Sequence, residues 1–354
     1  MIIDSEKKLN NFKSKIKKKK YLYLDTEFSR KNTYKATLSF ITIYDGKSYY
    51  ILDAIKSKKL IKLFIQVISN KSILKVLHGS EQDLELLNQY FGEIRPIFDN
   101  QLAAGFCGFD RNLSYQNLTK IICKKKIDKK FQNINWLKRP INQKIINYIK
   151  NDTKYLKPTH KHLNKILIKT KKLKFFNEEM KIFQINALNP IKISSTLKRN
   201  IDKNILDNKE FKKILWIRHS ISKKKNLPKN WVLNDNDIIK LIHSKSDRVL
   251  KKNSKISKKN YLILLKSFKN LRKTKNKKTA IDQTLIASMN YVKLIISRKN
   301  KIDENLIATK NDIYTYLAYK KFNGLWRKKV FFDKYERFIK GKTKVKFKKG
   351  IIQI

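Results

Sequence analysis

Short apolar runs alternate with helical spacing through the first 170 residues, and beyond about residue 205 helical spacing takes over. YLYLDTEF (21–28) is rich in β-forming residues. LSFITIYDG (38–46) and SYYILDA (48–54) follow, with the turn residues Asp45 and Gly46 between them, which predicts an antiparallel meander. In KSKKLIKLFIQVIS (56–69), Leu60, Phe64 and Ile68 recur on one helical face. ILKVLHG (73–79) predicts a buried strand running into a helix at 80–91, with Ser80 as its N-cap. IFDNQLAAGF (97–106) has the pattern of a strand–helix junction, and helical patterns occupy 113–125 and 141–170. The first twenty residues predict a short strand, a helix and a basic turn. Strands alternating with helices predict an α/β domain with a central mixed sheet over residues 1 to about 170.

The second half predicts helices at 207–224, 235–243, 260–272, 281–298 and 310–322. Pro190 and an SST run mark 190–206 as a linker, and the polar stretch KNLRKTKNKKTA near 270–280 as a second break. The expected division is therefore a domain at 1–190 followed by two small all-α modules at 205–275 and 280–354. No short internal repeat is present.

Composition adds a partner class. The 354 residues are 41% hydrophobic, and 84 Lys and Arg against 28 Asp and Glu leave a net charge of +56. Such a surface favours a polyanion: nucleic acid first, an anionic membrane surface second. Lys, Asn and Ile are abundant throughout, a pattern of AT-rich coding that accounts for part of the excess. Residues 248–281 carry 13 Lys or Arg and no acid, with Tyr261 and Phe268 interleaved, which suits either base stacking or a solvated helix face over a core. Cys107 and Cys123 form no CxxC pair and are expected reduced, and His160 and His162 lack zinc spacing. With no signal-like N-terminus and no membrane-length apolar run, the expectation is a soluble cytoplasmic protein.

The chemistry-bearing residues are acids that oppose this basic field. Asp25 and Glu27 are two apart on a predicted strand, so both project to one face of the sheet. Asp83 falls in the first turns of a helix after a buried strand, where open α/β sheets place their sites. There it also suits the helix dipole. Tyr148 and Asp152 are four apart in a helical segment and share a face. Taken singly, each has an ordinary surface explanation. Jointly they suit oxygen-ligated divalent cations, a pair of which can activate water and stabilise the leaving oxygen of a phosphodiester. A tyrosine is a poor base at neutral pH and serves better by aiming water.

DTEF, HGSEQDL, IFDNQLAA and the Tyr148-to-Asp152 spacing resemble the DEDD 3′–5′ exonucleases of the tyrosine subclass. Order, spacing and flanks are most similar to the ribonuclease D family, including WLKRP at 136–140 before the last motif. The likeness spans about residues 1–190 and implies an RNase H-like exonuclease domain. LWIRHSISKKKNLPKNWVLNDNDIIKLI (215–242) resembles the core of an HRDC domain, a helical nucleic-acid-binding module. LIATKNDIYTYL (306–317) with GLWRKKVF (324–331) is similar to the second HRDC-like module of that family. The helical modules are more Lys-rich and divergent than is usual there.

The resemblance implies two divalent ions, Mg²⁺ or Mn²⁺. Asp25, Glu27 and Asp152 would ligate one, and Asp25 would bridge to a second held by Asp83 directly or through water. Tyr148 would orient the attacking water. It further implies a 3′–5′ exoribonuclease trimming single-stranded 3′ ends of precursor tRNA and other structured RNA to nucleoside 5′-monophosphates. Monomer is the default state. A single-strand DNA exonuclease acting in repair and a catalytically inert RNA-binding protein are the alternatives.

Overall fold

The alternation in the first hundred residues builds a central six-stranded sheet. Its strands are β1 (Ile2–Ile3), β2 (Tyr21–Ser29), β3 (Thr37–Tyr44), β4 (Tyr49–Asp53), β5 (Leu74–Leu77) and β6 (Ile97–Asp99). Their order is β1-β4-β3-β2-β5-β6. The structure is a computed structural model. It describes all residues except 129, 133, 245–246, 252, 274–280, 344–345, 349–350 and 354, with 203, 346–348 and 351–353 described by backbone alone. The second expected break, near 270–280, thus falls largely outside the described residues, as does part of the basic run 248–281.

β3 and β4 pair antiparallel, whereas β1 with β4, β2 with β5, and β5 with β6 are parallel. The parallel register sets Tyr23 opposite Val76, and Leu77 opposite Asp99. Asp25, the turn after Leu77 and Asp99 therefore gather at the carboxyl edge of one set of strands, where α/β sheets build sites.

Helices α1 (Glu6–Ile16), α2 (Lys58–Ile68), α3 (Glu81–Phe91), α4 (Asn100–Phe106), α5 (Tyr115–Cys123), α6 (Gln143–Lys154), α7 (Leu156–Lys169) and α8 (Leu173–Leu188) accompany the sheet. On α2 the expected face, Leu60, Phe64 and Ile68, is buried. The single helical pattern at 141–170 resolves into α6 and α7, broken at Tyr155. Helix α8 has no clean apolar stripe in sequence, because its buried set, Phe176, Glu179, Met180, Gln184 and Ala187, mixes polar with apolar residues.

The chain divides into two compact units. The first comprises residues 1–29, 38–188 and 281–354, so the C-terminal helices pack in the same unit as the sheet. Gly105 on α4 shows how closely: a Cβ there would collide with Leu306. Asp303 N–H donates to the Gly105 carbonyl at 2.8 Å. Arg327 forms a two-pronged ion pair with Glu179 at 2.6 and 2.7 Å, and the Trp326 indole N–H donates to the same carboxylate at 2.9 Å.

The second unit comprises residues 30–37 and 189–280 and is helical. The stretch expected as a linker, 190–206, forms helices Ser195–Asn200 and Lys203–Leu206 instead. Its Leu197, Ile201, Ile205 and Leu206 enter a core with Phe211, Ile214, Leu241 and Phe268. Those few apolar residues are buried, while Lys198, Arg199 and Asn200 between them stay exposed. Among the described residues no helix is long and apolar enough to cross a membrane, and Cys107 and Cys123 are free thiols.

Candidate active site: a carboxylate cavity at the sheet edge

Three of the five sequence-derived residues converge at once. Asp25 and Glu27 leave the same face of β2, and Asp152 comes from α6, which packs on that strand. One carboxylate oxygen from each lies within 4.8 Å of the others. Tyr148, one turn before Asp152, hydrogen-bonds to it through its phenol. With Asp25, Glu27 and Asp152, it lines a cavity of about 250 Å³. Asp83 stands in the first turn of α3, outside the triplet, and accepts a hydrogen bond from the Thr26 hydroxyl. Its charge still reaches Asp25 and Glu27.

Electrostatics record the crowding. Burial, then the charges of Asp152 and Asp83, hold the Asp25 carboxyl well above the usual carboxylate range. Glu27 is pushed up to about 10 by burial and by Asp25, Asp152 and Asp83. Burial raises Asp152 to about 7 and Asp83 to about 6, the latter against the opposing Thr26 bond. The Tyr148 phenol is raised by burial and the facing acids, and so stays protonated at neutral pH. Four acids that would rather hold protons than share one space with bare charges call for a positive partner. An all-oxygen donor set of this kind fits a hard divalent cation.

Neighbouring motifs hold these groups in place. Asp99, at the end of β6 and 1% exposed, accepts from the backbone N–H groups of Gln101 and Leu102 through one oxygen. Its other oxygen accepts from the Ser80 N–H and hydroxyl, both at 2.7 Å. Ser80 therefore does not cap α3 with its side chain as its position predicts; the hydroxyl is committed to Asp99. That bond locks the strand–turn–helix that presents Asp83. Gly79 in the same turn has φ +62°, and a Cβ would meet the Gln101 amide oxygen at 3.2 Å. The Asn100 amide donates to Leu156 O at 3.2 Å and to the Thr159 hydroxyl at 2.8 Å, tying the junction to α7.

The WLKRP segment supports Tyr148 from beneath. Trp136 packs in a cluster with Phe40, Ile146 and Ile149, against which Tyr148 rests. Arg139 makes paired 2.8 Å bonds to Asp53 and lies 4.4 Å over the Phe40 ring.

Sequence reading did not single out His78, Tyr115, Gln116, Asp128 or Gln132, which also line the cavity. His78 lies inside a quoted motif; Tyr115 carries no spacing signal at all. His160 is buried against Tyr21, Tyr23 and Phe98.

A family model described as 3′–5′ exonuclease matches residues 1–168. A ribonuclease D of Shewanella sp. (strain ANA-3) is 34% identical over 156 residues, covering 44% of this chain and 40% of that protein. A ribonuclease D of Desulfotalea psychrophila is 30% identical over 246 residues, covering 68% of this chain and 66% of that protein. The chain thus spans less than two thirds of these curated relatives' lengths. Among solved structures, Escherichia coli RNase D, titled an exoribonuclease involved in structured RNA processing, is similar in fold with a TM-score of 0.74. That alignment covers 97% of this chain and 99% of that one at 19% identity.

Proposed function

We propose, from the match of residues 1–168 to a family model described as 3′–5′ exonuclease, that the chain is a metal-dependent 3′–5′ exoribonuclease of the ribonuclease D type. The observation that carries the reading is the convergence of Asp25, Glu27 and Asp152, within 4.8 Å of one another, in a cavity that Tyr148 also lines.

In this proposal Asp25, Glu27 and Asp152 would hold one divalent ion, and Asp83, directly or through water, would hold a second together with Asp25. Bound Mg²⁺ or Mn²⁺ would supply an activated water and charge stabilisation for the leaving oxygen. Tyr148 keeps its proton and presents a phenol to orient the water, since burial and the facing acids raise its pKa further from neutrality. Thr26 hydrogen-bonds to Asp83, and Asp99 holds the preceding turn through Ser80 while its charge helps raise the Asp83 carboxyl.

RNA as substrate is supported by the ribonuclease names of the sequence relatives. The charge of +56 supplies sequence-independent attraction to the backbone. Precursor tRNA and other structured RNAs with single-stranded 3′ ends are the proposed natural class. The chain is proposed to act as a monomer in the cytoplasm, with the helical segments 205–275 and 280–354 as HRDC-like modules that hold the RNA body.

The test is direct. Purified protein with Mg²⁺ or Mn²⁺ should shorten a 5′-labelled, 3′-tailed RNA stepwise, release nucleoside 5′-monophosphates, and stop on addition of EDTA. A matched DNA strand should be degraded more slowly. Faster degradation of DNA would turn the reading toward a repair exonuclease. Intact RNA at every metal concentration, with binding retained, would leave an inert RNA-binding protein.

A further inference from the structure

A continuous α-helix through 143–169 would join the Tyr155 N–H to the Asn151 carbonyl, four residues back. The Tyr115 hydroxyl occupies that position instead. It donates to the Asn151 carbonyl at 2.9 Å and accepts from the Tyr155 N–H at 3.0 Å. A side chain inserted into the helical ladder is an established cause of a break, and α6 ends at Lys154 while α7 begins at Leu156. Asp152 sits inside the opened turn, next to Asn151. The ring of Tyr115 meanwhile lines the carboxylate cavity.

Tyr115 is itself held from the side of the other motifs. Two residues earlier, the Leu113 carbonyl lies 3.0 Å from His78 Nε2 and accepts from the Gln101 amide at 3.2 Å. The Tyr115 ring packs edge-on against His78, with centroids 5.6 Å apart. The Ser114 hydroxyl then caps α5 by accepting from Asn117 N–H. A relay thus runs from the turns after β5 and β6, through Leu113 and Tyr115, to the helix that carries Asp152.

We infer that Tyr115 is a positioning residue: its hydroxyl wedges open the α6–α7 junction and so sets the Asp152 carboxylate into the cavity. This rests on the proposal that Asp152 helps hold a metal ion. The Tyr115 hydroxyl is committed to the backbone of Asn151 and Tyr155. With the wedge removed, the Asn151–Tyr155 bond can re-form, the turn re-closes, and Asp152 shifts relative to Asp25 and Glu27, which are anchored on a strand.

The experiment uses the full chain and Tyr115→Phe, which keeps the ring and deletes the wedge. Mn²⁺ binding is measured by titration calorimetry and electron paramagnetic resonance without RNA, alongside kcat and KM on a tailed RNA. Partners of metal ligands typically contribute 10- to 100-fold to metal affinity. The expected result is therefore Mn²⁺ affinity weakened about 10-fold or more, kcat lowered and partly restored by excess Mn²⁺, and KM for RNA unchanged. Tyr316→Phe is the control, since it deletes another buried phenol bond, 2.6 Å to Glu336, remote in sequence from the cavity residues. It should leave Mn²⁺ affinity unchanged.

Mn²⁺ binding by Tyr115→Phe equal to the wild type overturns the inference, as does an equal loss in Tyr316→Phe. A wild-type chain that binds no Mn²⁺ overturns the metal assignment beneath it, a separate failure. If Tyr115→Phe does not fold, Gln101→Met removes one bond on Leu113 and should shift Mn²⁺ affinity in the same direction by less. No shift there overturns the inference as well.

Discussion

Glu179 on α8 and Asp25 on β2 are both withdrawn from bulk water, and they meet opposite company. Glu179 receives two guanidinium N–H bonds from Arg327 and one from the Trp326 indole, so each of its oxygens is committed within the protein. Asp25 faces Glu27, Asp152 and Asp83, and burial and repulsion drive its carboxyl toward the protonated form. The first arrangement closes on itself and joins α8 to the C-terminal helices. The second is incomplete without a cation. Buried acids with internal partners are structural; buried acids facing other acids across a cavity are poised to bind.

The sharpest way to break this contrast is to neutralise one acid of each kind. Asp25→Asn should lower RNA hydrolysis by at least about 10³-fold, as loss of a charge acting on the transition state does. Its RNA affinity should be nearly unchanged in a filter-binding assay, and full-rate hydrolysis would remove Asp25 from the site. Glu179→Ala should act on stability instead. Stranding Arg327 costs about 3–5 kcal/mol in denaturant unfolding, and the double replacement Glu179→Leu with Arg327→Met should recover most of it. A Glu179→Ala chain as stable as the wild type would erase the distinction.

Tyr148→Phe should lower kcat by about 10- to 100-fold with little change in KM, because the phenol orients and does not transfer a proton. A flat pH profile of the residual activity near pH 10 would agree with that role. Asp152→Asn sharpens the comparison through pH. The folded-state pKa of Asp152 is raised from 3.8 to about 7, so its favourable contribution is full below about pH 4 and is lost as pH rises through 7. Without metal, the variant should match the wild type near pH 4 and exceed it by about 1–3 kcal/mol near pH 8. Saturating Mg²⁺ should stabilise the wild type alone. A variant equally stable at both pH values would show that Asp152 is not strained in the metal-free fold.

Much of this was legible from residue order. Runs of β-forming residues marked β2 and β3, and the two-residue spacing of Asp25 and Glu27 set them on one face before any neighbour was known. The helical face of α2 and the strand-to-helix turn before Asp83 were equally plain. Ser80 was not, because a capping position is local whereas its actual acceptor, Asp99, lies 19 residues on and belongs to another strand. Helix α8 escaped notice because its buried face includes Glu179 and Gln184, polar residues tolerated only by partners elsewhere. The stretch 190–206 looked like a connector because its few apolar residues acquire a core only when helices after 209 fold over them.

The sequence by itself determined most strands and helices of the first 170 residues, and the spacings that set Asp25 with Glu27 and Tyr148 with Asp152 on shared faces. Those are consequences of short-range hydrogen bonding and of hydrophobic period. Tertiary structure alone decided that Asp25, Glu27 and Asp152 share one space and that a hydroxyl from residue 115 opens the helix bearing the last of them. It likewise decided that Glu179 finds Arg327 across 148 positions. Burial, repulsion and ladder insertion arise between distant segments, so their outcome exists only once the chain has brought those segments together.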